Sequence, residues 1–211
     1  MNDNILNFKE RLLSLDYFYI KQFVQDYLKE YDFENIVDKI LVPVLEDIGD
    51  SWENGTLSLS QVYMSGKLCE RLVDEFIELS NVQRKTKPKM AIVVFNDQHT
   101  LGKKIIYNVL RSVGYDIKDF GNSEDATSLI DRLESENIEV LLVSVLMLNS
   151  ALKIKTIREE INYRNLCTKL IVGGAPFNFD DSLWKRVGAN EMGKNTKDAI
   201  DLALKMEGET K

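Results

Sequence analysis

The sequence predicts a helical bundle followed by an α/β domain built on a parallel sheet. Up to about residue 80, apolar residues recur at intervals of three and four, which is typical of helices that pack along one face. Beyond residue 90, short apolar runs alternate with amphipathic stretches, as strands and helices do in α/β proteins. A charged segment separates the two patterns. We therefore predict a helical domain at 1–82, a linker at 83–89 and an α/β domain at 90–211.

The N-terminal part predicts a bundle of four helices. The third is the clearest, because apolar residues recur every four positions, at Ile36, Ile40, Val44, Ile48 and Trp52. Pro43 removes one backbone donor from it and predicts a kink. Ser58 and Gln61 form a capping-box pattern at the start of the fourth helix. The small residues Ser65 and Gly66 in that helix indicate tight helix packing or, alternatively, the close approach of a flat ligand.

The C-terminal part predicts five strands, at 90–95, 115–120, 140–144, 169–172 and near 189–192. Helices are predicted between and after them, at 102–113, 125–136, 152–161, 181–187 and 196–206. Five units of this length indicate a flavodoxin-like (Rossmann-like) five-stranded parallel sheet with helices on both faces. In the common strand order 2-1-3-4-5, ligands bind where strands one and three diverge.

Polar and small residues follow three of the predicted strands. Asp97, His99 and Gly102 come after strand one; Ser144, Leu146 and Ser150 come after strand three; Gly173 and Gly174 come after strand four. The carboxyl ends of parallel strands meet at one edge of the sheet, so we expect these residues to lie close together. Paired glycines let a backbone approach a large flat or elongated ligand.

The only histidine of the sequence, His99, is the clearest candidate for chemistry. Asp97, two residues before it, is placed to accept the proton of one ring nitrogen and leave the other free as a ligand. A histidine that merely stabilises its loop is the alternative reading of this pair. No second histidine completes a zinc site, and neither Ser144 nor Ser150 lies in a nucleophile elbow. A single nitrogen ligand to a metal already held by a cofactor fits best.

Composition limits the possible partners. The net charge of -7 argues against nucleic-acid binding, and no apolar run is long enough to span a membrane. Cys69 and Cys167 form no CxxC pattern and are expected to be reduced. The N-terminus has no export pattern, so we expect a cytoplasmic protein.

Three motifs at fixed intervals resemble the signature of the cobalamin-binding corrinoid proteins and of the related domain of methionine synthase. The first motif, Asp-x-His-x-x-Gly, occupies residues 97–102, and 41 residues separate it from Ser-x-Leu at 144–146. A further 26 residues precede Gly-Gly at 173–174. Residues 52–55 are similar to the aromatic-x-x-Gly turn in the helical cap of that family. The resemblance therefore covers nearly the whole chain.

The resemblance implies that cobalamin binds base-off, with His99 as the lower axial ligand of cobalt. Asp97 would bond to His99, Ser150 would complete that relay, and Ser144 would meet the displaced benzimidazole. The tail would lie against Gly173 and Gly174. The remaining residues expected to contact the cofactor are Gln98, Thr100, Leu101, Gly102 and Leu146 near the histidine, Met192 and Gly193 near the tail, and Val62 and Ser65 in the cap.

The chain departs from the family pattern at several positions. Leu148 stands where many carriers have a threonine, and Asn96 replaces a glycine before the first motif. Light-sensing relatives have Glu-His where this chain has Gln61 and Val62, so an upper histidine ligand is not expected.

The resemblance implies a carrier that moves a methyl group on cobalt between methyltransferase partners, without a complete active site of its own. Corrinoid-activating proteins are further expected partners. Two alternatives stay open at this point: a sensor or regulator that reports the state of the cofactor, and a protein that stores or delivers cobalamin.

Overall fold

The computed structural model describes residues 3–80 and 83–209. The N-terminal part is the predicted bundle, now called the cap. Its helical segments are α1 (Asp3–Leu13), α2 (Tyr17–Tyr27), α3 (Phe33–Ile36), a π-helical turn (Val37–Leu41), α4 (Val42–Glu53) and α5 (Leu59–Ser80). Within the described residues, no helix combines the length and the apolar content that are needed to cross a bilayer.

Pro43 and Ser58 affect their helices in the way their chemistry predicts. Because Pro43 has no N–H to donate, the helix widens just before it, and the Val42 N–H donates to the carbonyl of Val37, five residues back. The expected kink is therefore a π-helical turn. At the start of α5, the Ser58 N–H donates to Gln61 Oε1 over 2.9 Å, and the Gln61 N–H donates to Ser58 Oγ over 3.3 Å. The predicted capping box is confirmed.

The second part is a five-stranded parallel sheet in the order β2-β1-β3-β4-β5, as predicted. The strands are β1 (Lys85–Phe95), β2 (Tyr115–Ser123), β3 (Val140–Ser144), β4 (Lys169–Gly173) and β5 (Glu191–Gly193). The helices are α6 (Leu101–Ser112), α7 (Ala126–Ser135), α8 (Leu148–Tyr163), α9 (Ala175–Phe179), α10 (Leu183–Arg186) and α11 (Thr196–Glu209). The short helix α9 was not predicted from the sequence.

The two faces of the sheet belong to two separate cores, because side chains alternate along each strand. One face packs against α6, α11 and the cap, and its buried strand residues are Met90, Ile92, Tyr115, Ile117, Val140, Leu142 and Ile171. The opposite face packs against α7 and α8, and it buries Ala91, Val93, Leu141, Val143 and Val172. The cap thus shares a continuous core with one face of the sheet.

The cap docks on the sheet domain through two helix pairs. Helix α5 packs on α6, where the Ser112 hydroxyl donates to the carbonyl of Gly66 over 3.0 Å. Helix α4 packs on the start of α11, where a Cβ at Gly49 would lie 2.2 Å from the hydroxyl oxygen of the buried Thr196. The absence of a side chain at Gly49 therefore sets how closely these two helices approach.

The segment predicted as a linker is only partly a connection between elements. Strand β1 begins at Lys85, so residues 85–89 belong to the sheet. The Arg84 guanidinium donates to the carbonyls of Arg111 and Tyr115 and pairs with Asp74 of α5. Residues 81 and 82 lie outside the described residues. The sequence pattern missed this attachment because charged residues at a strand end look the same as charged residues in a loop.

We expect Gly49→Ala to destabilise the protein. Alanine in place of glycine favours a helix by about 1 kcal/mol, but the added methyl overpacks against Thr196, which costs about 1–3 kcal/mol. Thermal unfolding should therefore occur at a lower temperature. Gly208→Ala is the matched control, because nothing lies within 4 Å of a Cβ at that α11 position. Equal or higher stability of Gly49→Ala would contradict this packing.

Candidate functional site

His99 and Asp97 form a close pair in the loop between β1 and α6. His99 Nδ1 lies 2.6 Å from Asp97 Oδ1, and the same oxygen accepts the His99 backbone N–H over 3.1 Å. The Asp97 side chain is 1% exposed, whereas the His99 side chain is 53% exposed. Since Nδ1 faces the buried carboxylate, Nε2 lies on the side of the ring that points away from it.

The second oxygen of Asp97 ties this loop to the next one. Asp97 Oδ2 accepts the backbone N–H groups of Leu146 and Met147 over 2.8 and 2.9 Å. Burial alone would raise the pKa of Asp97, but these bonds and those from His99 outweigh burial and hold the pKa well below its usual range. The carboxylate is therefore ionised at neutral pH and acts only as an acceptor. In the neutral imidazole, His99 Nδ1 therefore carries the proton and Nε2 carries the free lone pair.

Ser150 does not complete the predicted relay. Its hydroxyl donates to the backbone carbonyl of Asn96 over 2.6 Å, and the donors that reach Asp97 are those of His99, Leu146 and Met147. Two backbone N–H groups occupy Asp97 Oδ2 instead. Ser150 instead holds the end of β1 against the start of α8.

A row of small residues crosses the sheet beside this pair. Ser144 of β3, Gly173 of β4 and Gly193 of β5 are in register on three neighbouring strands. A Cβ at Gly102, on the opposite side of the row, would have only Ser144 Oγ within 4 Å, at 3.2 Å. These four residues form a cradle of small residues that lines the cavity, because none of them projects more than a hydroxyl. A Cβ at Gly173 would lie 3.0 Å from the carbonyl oxygen of Gly193, and a Cβ at Gly193 would lie 3.5 Å from Asp198.

Gly174 has a different role from Gly173. Its φ is 118°, and a Cβ there would lie 1.8 Å from the carbonyl oxygen of Val145. The second glycine of the pair is therefore required by the close passage of the β3–α8 loop, whatever binds nearby.

His99 and the cradle line a cavity of about 520 Å³. This volume lies within the range of small-molecule and cofactor pockets. The cavity extends from the carboxyl edge of the sheet along the cap-facing side, between α6 and α11. The predicted residues that line it are His99, Thr100, Leu101, Gly102, Ser144, Leu146, Gly173, Gly174 and Gly193.

Other predicted site residues lie outside this lining. Gln98 is exposed, and its amide lies 3.5 Å from Glu124. Met192 packs against the core on the opposite face of the sheet. Val62 and Ser65 are buried and do not line the cavity. The next residue, Gly66, lies against α6, where a Cβ would be 3.4 Å from Val109, which agrees with the helix-packing interpretation of Ser65 and Gly66.

The cap reaches the cavity through residues that the sequence did not identify as cofactor contacts. Trp52 at the end of α4 and Leu59 at the start of α5 both line it. They are brought there by the turn at residues 54–58 that joins the two helices. Trp52 belongs to the aromatic-x-x-Gly pattern, which was the one signal available for this contact.

The polar groups of the β5–α11 loop are largely occupied. The side-chain amide of the buried Asn195 donates to the Glu53 carboxylate of the cap. The side-chain oxygen of Asn195, Oδ1, accepts the Asp198 backbone N–H over 2.9 Å. Lys194 pairs with the exposed Asp181 over 3.0 Å, and Asp181 contributes to raising the pKa of Lys194. The loop thus joins cap, sheet and cavity at one point.

The arrangement suits a large ligand that brings its own metal. Within residues 3–80 and 83–209, no group of three His, Cys, Asp or Glu side chains is placed to hold a metal ion. His99 nevertheless offers one nitrogen lone pair at the mouth of a cavity whose outer floor carries only the small residues Ser144, Gly173 and Gly193. A tetrapyrrole-type cofactor with an open axial position and an elongated appendage fits these two features together.

Comparisons with known families give the same description for both parts of the chain. Residues 88–200 match a family model described as a B12 binding domain, and residues 6–76 match a second model with the same description. Monomethylamine corrinoid protein 1 of Methanosarcina acetivorans is 30% identical over 180 residues, which is 81% of each chain.

Two solved structures share the fold. One is a cobalamin-binding protein from Desulfitobacterium hafniense, with a TM-score of 0.76, 17% identity and coverage of 96% of this chain and 98% of the other. The other belongs to the methanol:cobalamin methyltransferase complex MtaBC of Methanosarcina barkeri, with a TM-score of 0.70, 19% identity and coverage of 99% and 81%. The family matches span both the cap and the sheet domain, and the chain belongs to the B12-binding corrinoid proteins.

Proposed function

We propose that this protein is a corrinoid carrier that holds cobalamin base-off, with His99 as the lower axial ligand of cobalt, and passes a methyl group between methyltransferase partners. The observation that supports it best is the pairing of His99 with the buried, ionised Asp97 at the edge of the cavity. A histidine that only stabilised its loop would not need a half-exposed ring with an available nitrogen. Bound cobalamin would supply a cobalt centre that accepts and donates a methyl group.

The residues of the chain would hold the cofactor from below. Asp97 would fix the tautomer in which Nε2 is the unprotonated nitrogen, so that this nitrogen is available to the metal. The Leu146 and Met147 N–H groups hold Asp97 in turn, so the ring orientation is fixed before the cofactor arrives. Ligation then requires little ordering of side chains.

The cradle would receive the displaced nucleotide tail. Ser144 offers a hydroxyl, and Gly102, Gly173 and Gly193 line the cavity without adding a side chain to it. Trp52 and Leu59 would cover the cavity from the cap side. Each of these contacts excludes water from the space between the histidine and the inner part of the sheet.

The partners are inferred from the relatives. The name of the M. acetivorans relative refers to monomethylamine, and the M. barkeri structure is a complex with a methanol:cobalamin methyltransferase. Both names support a carrier that works with separate methyltransferases. We further propose that corrinoid-activating proteins are partners of the carrier and that the protein is cytoplasmic. The methyl donor and acceptor can be identified by cycling the cobalt spectrum with candidate partners.

We expect His99→Ala to fold normally but to lose protein ligation of cobalt. The visible spectrum of the reconstituted variant should be that of cobalamin with water or benzimidazole at the lower face, whereas wild type should have the spectrum of an imidazole ligand. Glu124→Ala, an exposed position on the neighbouring β2–α7 loop, should behave as wild type. A wild-type spectrum identical to that of free cobalamin would contradict the axial assignment.

Asp97→Asn should reverse the tautomer of His99. The asparagine oxygen can face the Leu146 and Met147 N–H groups, which turns its NH₂ toward His99 Nδ1 and makes that nitrogen an acceptor. The proton then moves to Nε2, which can no longer ligate a metal. Nitrogen NMR of the unligated protein reads this directly, since His99 is the only histidine. An unchanged tautomer in the variant would remove the proposed role of Asp97.

Gly102→Leu should block the cavity without unfolding the protein. The new side chain enters the cradle, and overpacking of this size should weaken cobalamin binding by about 10-fold or more. Thermal stability of the unligated protein should be retained, because leucine favours the helix. Gly174→Ala is the contrasting variant, since its methyl meets the Val145 backbone and should lower stability with or without cofactor. Undiminished cobalamin affinity of Gly102→Leu would exclude the cradle as the binding space.

A further inference from the structure

We propose that the cavity discriminates between corrinoids by their lower base, and that it favours a benzimidazole over a purine. This inference rests on the proposed function, because it requires the nucleotide tail to enter the cavity beside His99. The supporting observation is that the inner part of the cavity is lined by apolar side chains, whereas its outer edge carries polar groups.

The inner floor of the cavity is aliphatic. Ile92, Leu142 and Ile171 are in register on β1, β3 and β4, and all three line the cavity. Leu142 and Ile171 come two residues before Ser144 and Gly173. They therefore lie about 7 Å closer to the amino ends of the strands. Their backbone polar groups pair with neighbouring strands and are not available to a ligand in the cavity.

The walls and roof around this floor are apolar as well. The lining residues from α6, α11 and the cap are Ile105, Ile106, Ala199, Leu202, Trp52 and Leu59. Among these side chains, the one polar group is the indole N–H of Trp52, which can donate but cannot accept. The inner part of the cavity therefore offers no side-chain acceptor from the residues that line it.

The acceptors of the lining lie elsewhere. Asn195 uses both ends of its amide within the protein, and Asn178 is exposed. The hydroxyls of Thr100 and Ser144 belong to the outer edge, beside His99. Lys194 is directed to the exposed Asp181 and is itself a donor. A polar group that reached the inner part of the cavity would lose its water without gaining a side-chain acceptor.

The two classes of base respond differently to such a space. A dimethylbenzimidazole has an apolar edge with two methyl groups and one imine nitrogen, which the Ser144 hydroxyl or the Trp52 indole could satisfy. Adenine carries an amine with two N–H donors and additional ring nitrogens. Burying the amine without an acceptor should weaken binding by about 10-fold or more.

The test compares three corrinoids on the full-length protein by equilibrium dialysis: cobalamin, an otherwise identical corrinoid with adenine as its base, and cobinamide, which lacks the nucleotide tail. We expect cobalamin to bind about 10-fold or more tighter than the adenine form. Cobinamide should bind more weakly than cobalamin, because it leaves the inner part of the cavity unfilled.

Leu202→Gln tests whether the lining causes the preference. A glutamine there provides an acceptor in the inner part of the cavity, so the ratio of the two dissociation constants should fall. Leu204→Gln is the matched control on the same helix, because Leu204 is exposed and does not line the cavity. Its ratio should equal that of wild type.

The possible failures are distinguishable. Equal or tighter binding of the adenine form, with the imidazole-ligated spectrum present in both complexes, would overturn the inference and leave the proposed function intact. Equal binding of cobinamide and cobalamin would also overturn it, since the tail would then lie outside the cavity. If none of the three corrinoids bound, the proposed function itself would fail.

Discussion

The carboxylate of Asp97 is the point on which the site depends. It accepts the backbone N–H groups of Leu146 and Met147 and both N–H groups of His99, so one buried side chain joins two loops and an imidazole. A buried charge is stable only when its acceptor positions are filled, and here four donors fill them. The same bonds fix which nitrogen of His99 carries a proton. The hydrogen bonds of Asp97 therefore both join the two loops and set the tautomer of His99.

The cap-facing side of the sheet serves both folding and binding. Near the amino ends of its strands it packs as an ordinary core against α6, α11 and the cap. At the carboxyl ends of β3, β4 and β5, the small residues Ser144, Gly173 and Gly193 replace these large side chains, and the core opens into the cavity. The cap closes the remaining side with Trp52 and Leu59. A ligand that filled this space would complete a core that the protein leaves open.

The sequence predicted the fold well because its signals are local and repeated. Strand runs, helix periodicity and the loops after β1, β3 and β4 located His99, Ser144 and Gly173 correctly at one edge. Predictions that depended on the direction of a side chain were less reliable. Ser150 bonds to a backbone carbonyl, and Ser65 is buried away from the cavity, because tertiary packing rather than spacing decides these contacts. The contribution of Leu59 could not be predicted, since a leucine at a helix start has no distinguishing pattern.

In the proposed complex, the nitrogen below cobalt comes from the protein. Electron paramagnetic resonance of the Co(II) form can test it, because an axial nitrogen splits each cobalt line according to its nuclear spin. Since His99 is the only histidine, protein labelled with ¹⁵N-histidine carries the label at one imidazole. If His99 is the ligand, the triplet splitting from ¹⁴N becomes a doublet in the labelled protein. A triplet that persists after labelling would identify the cofactor's own base as the ligand and exclude His99.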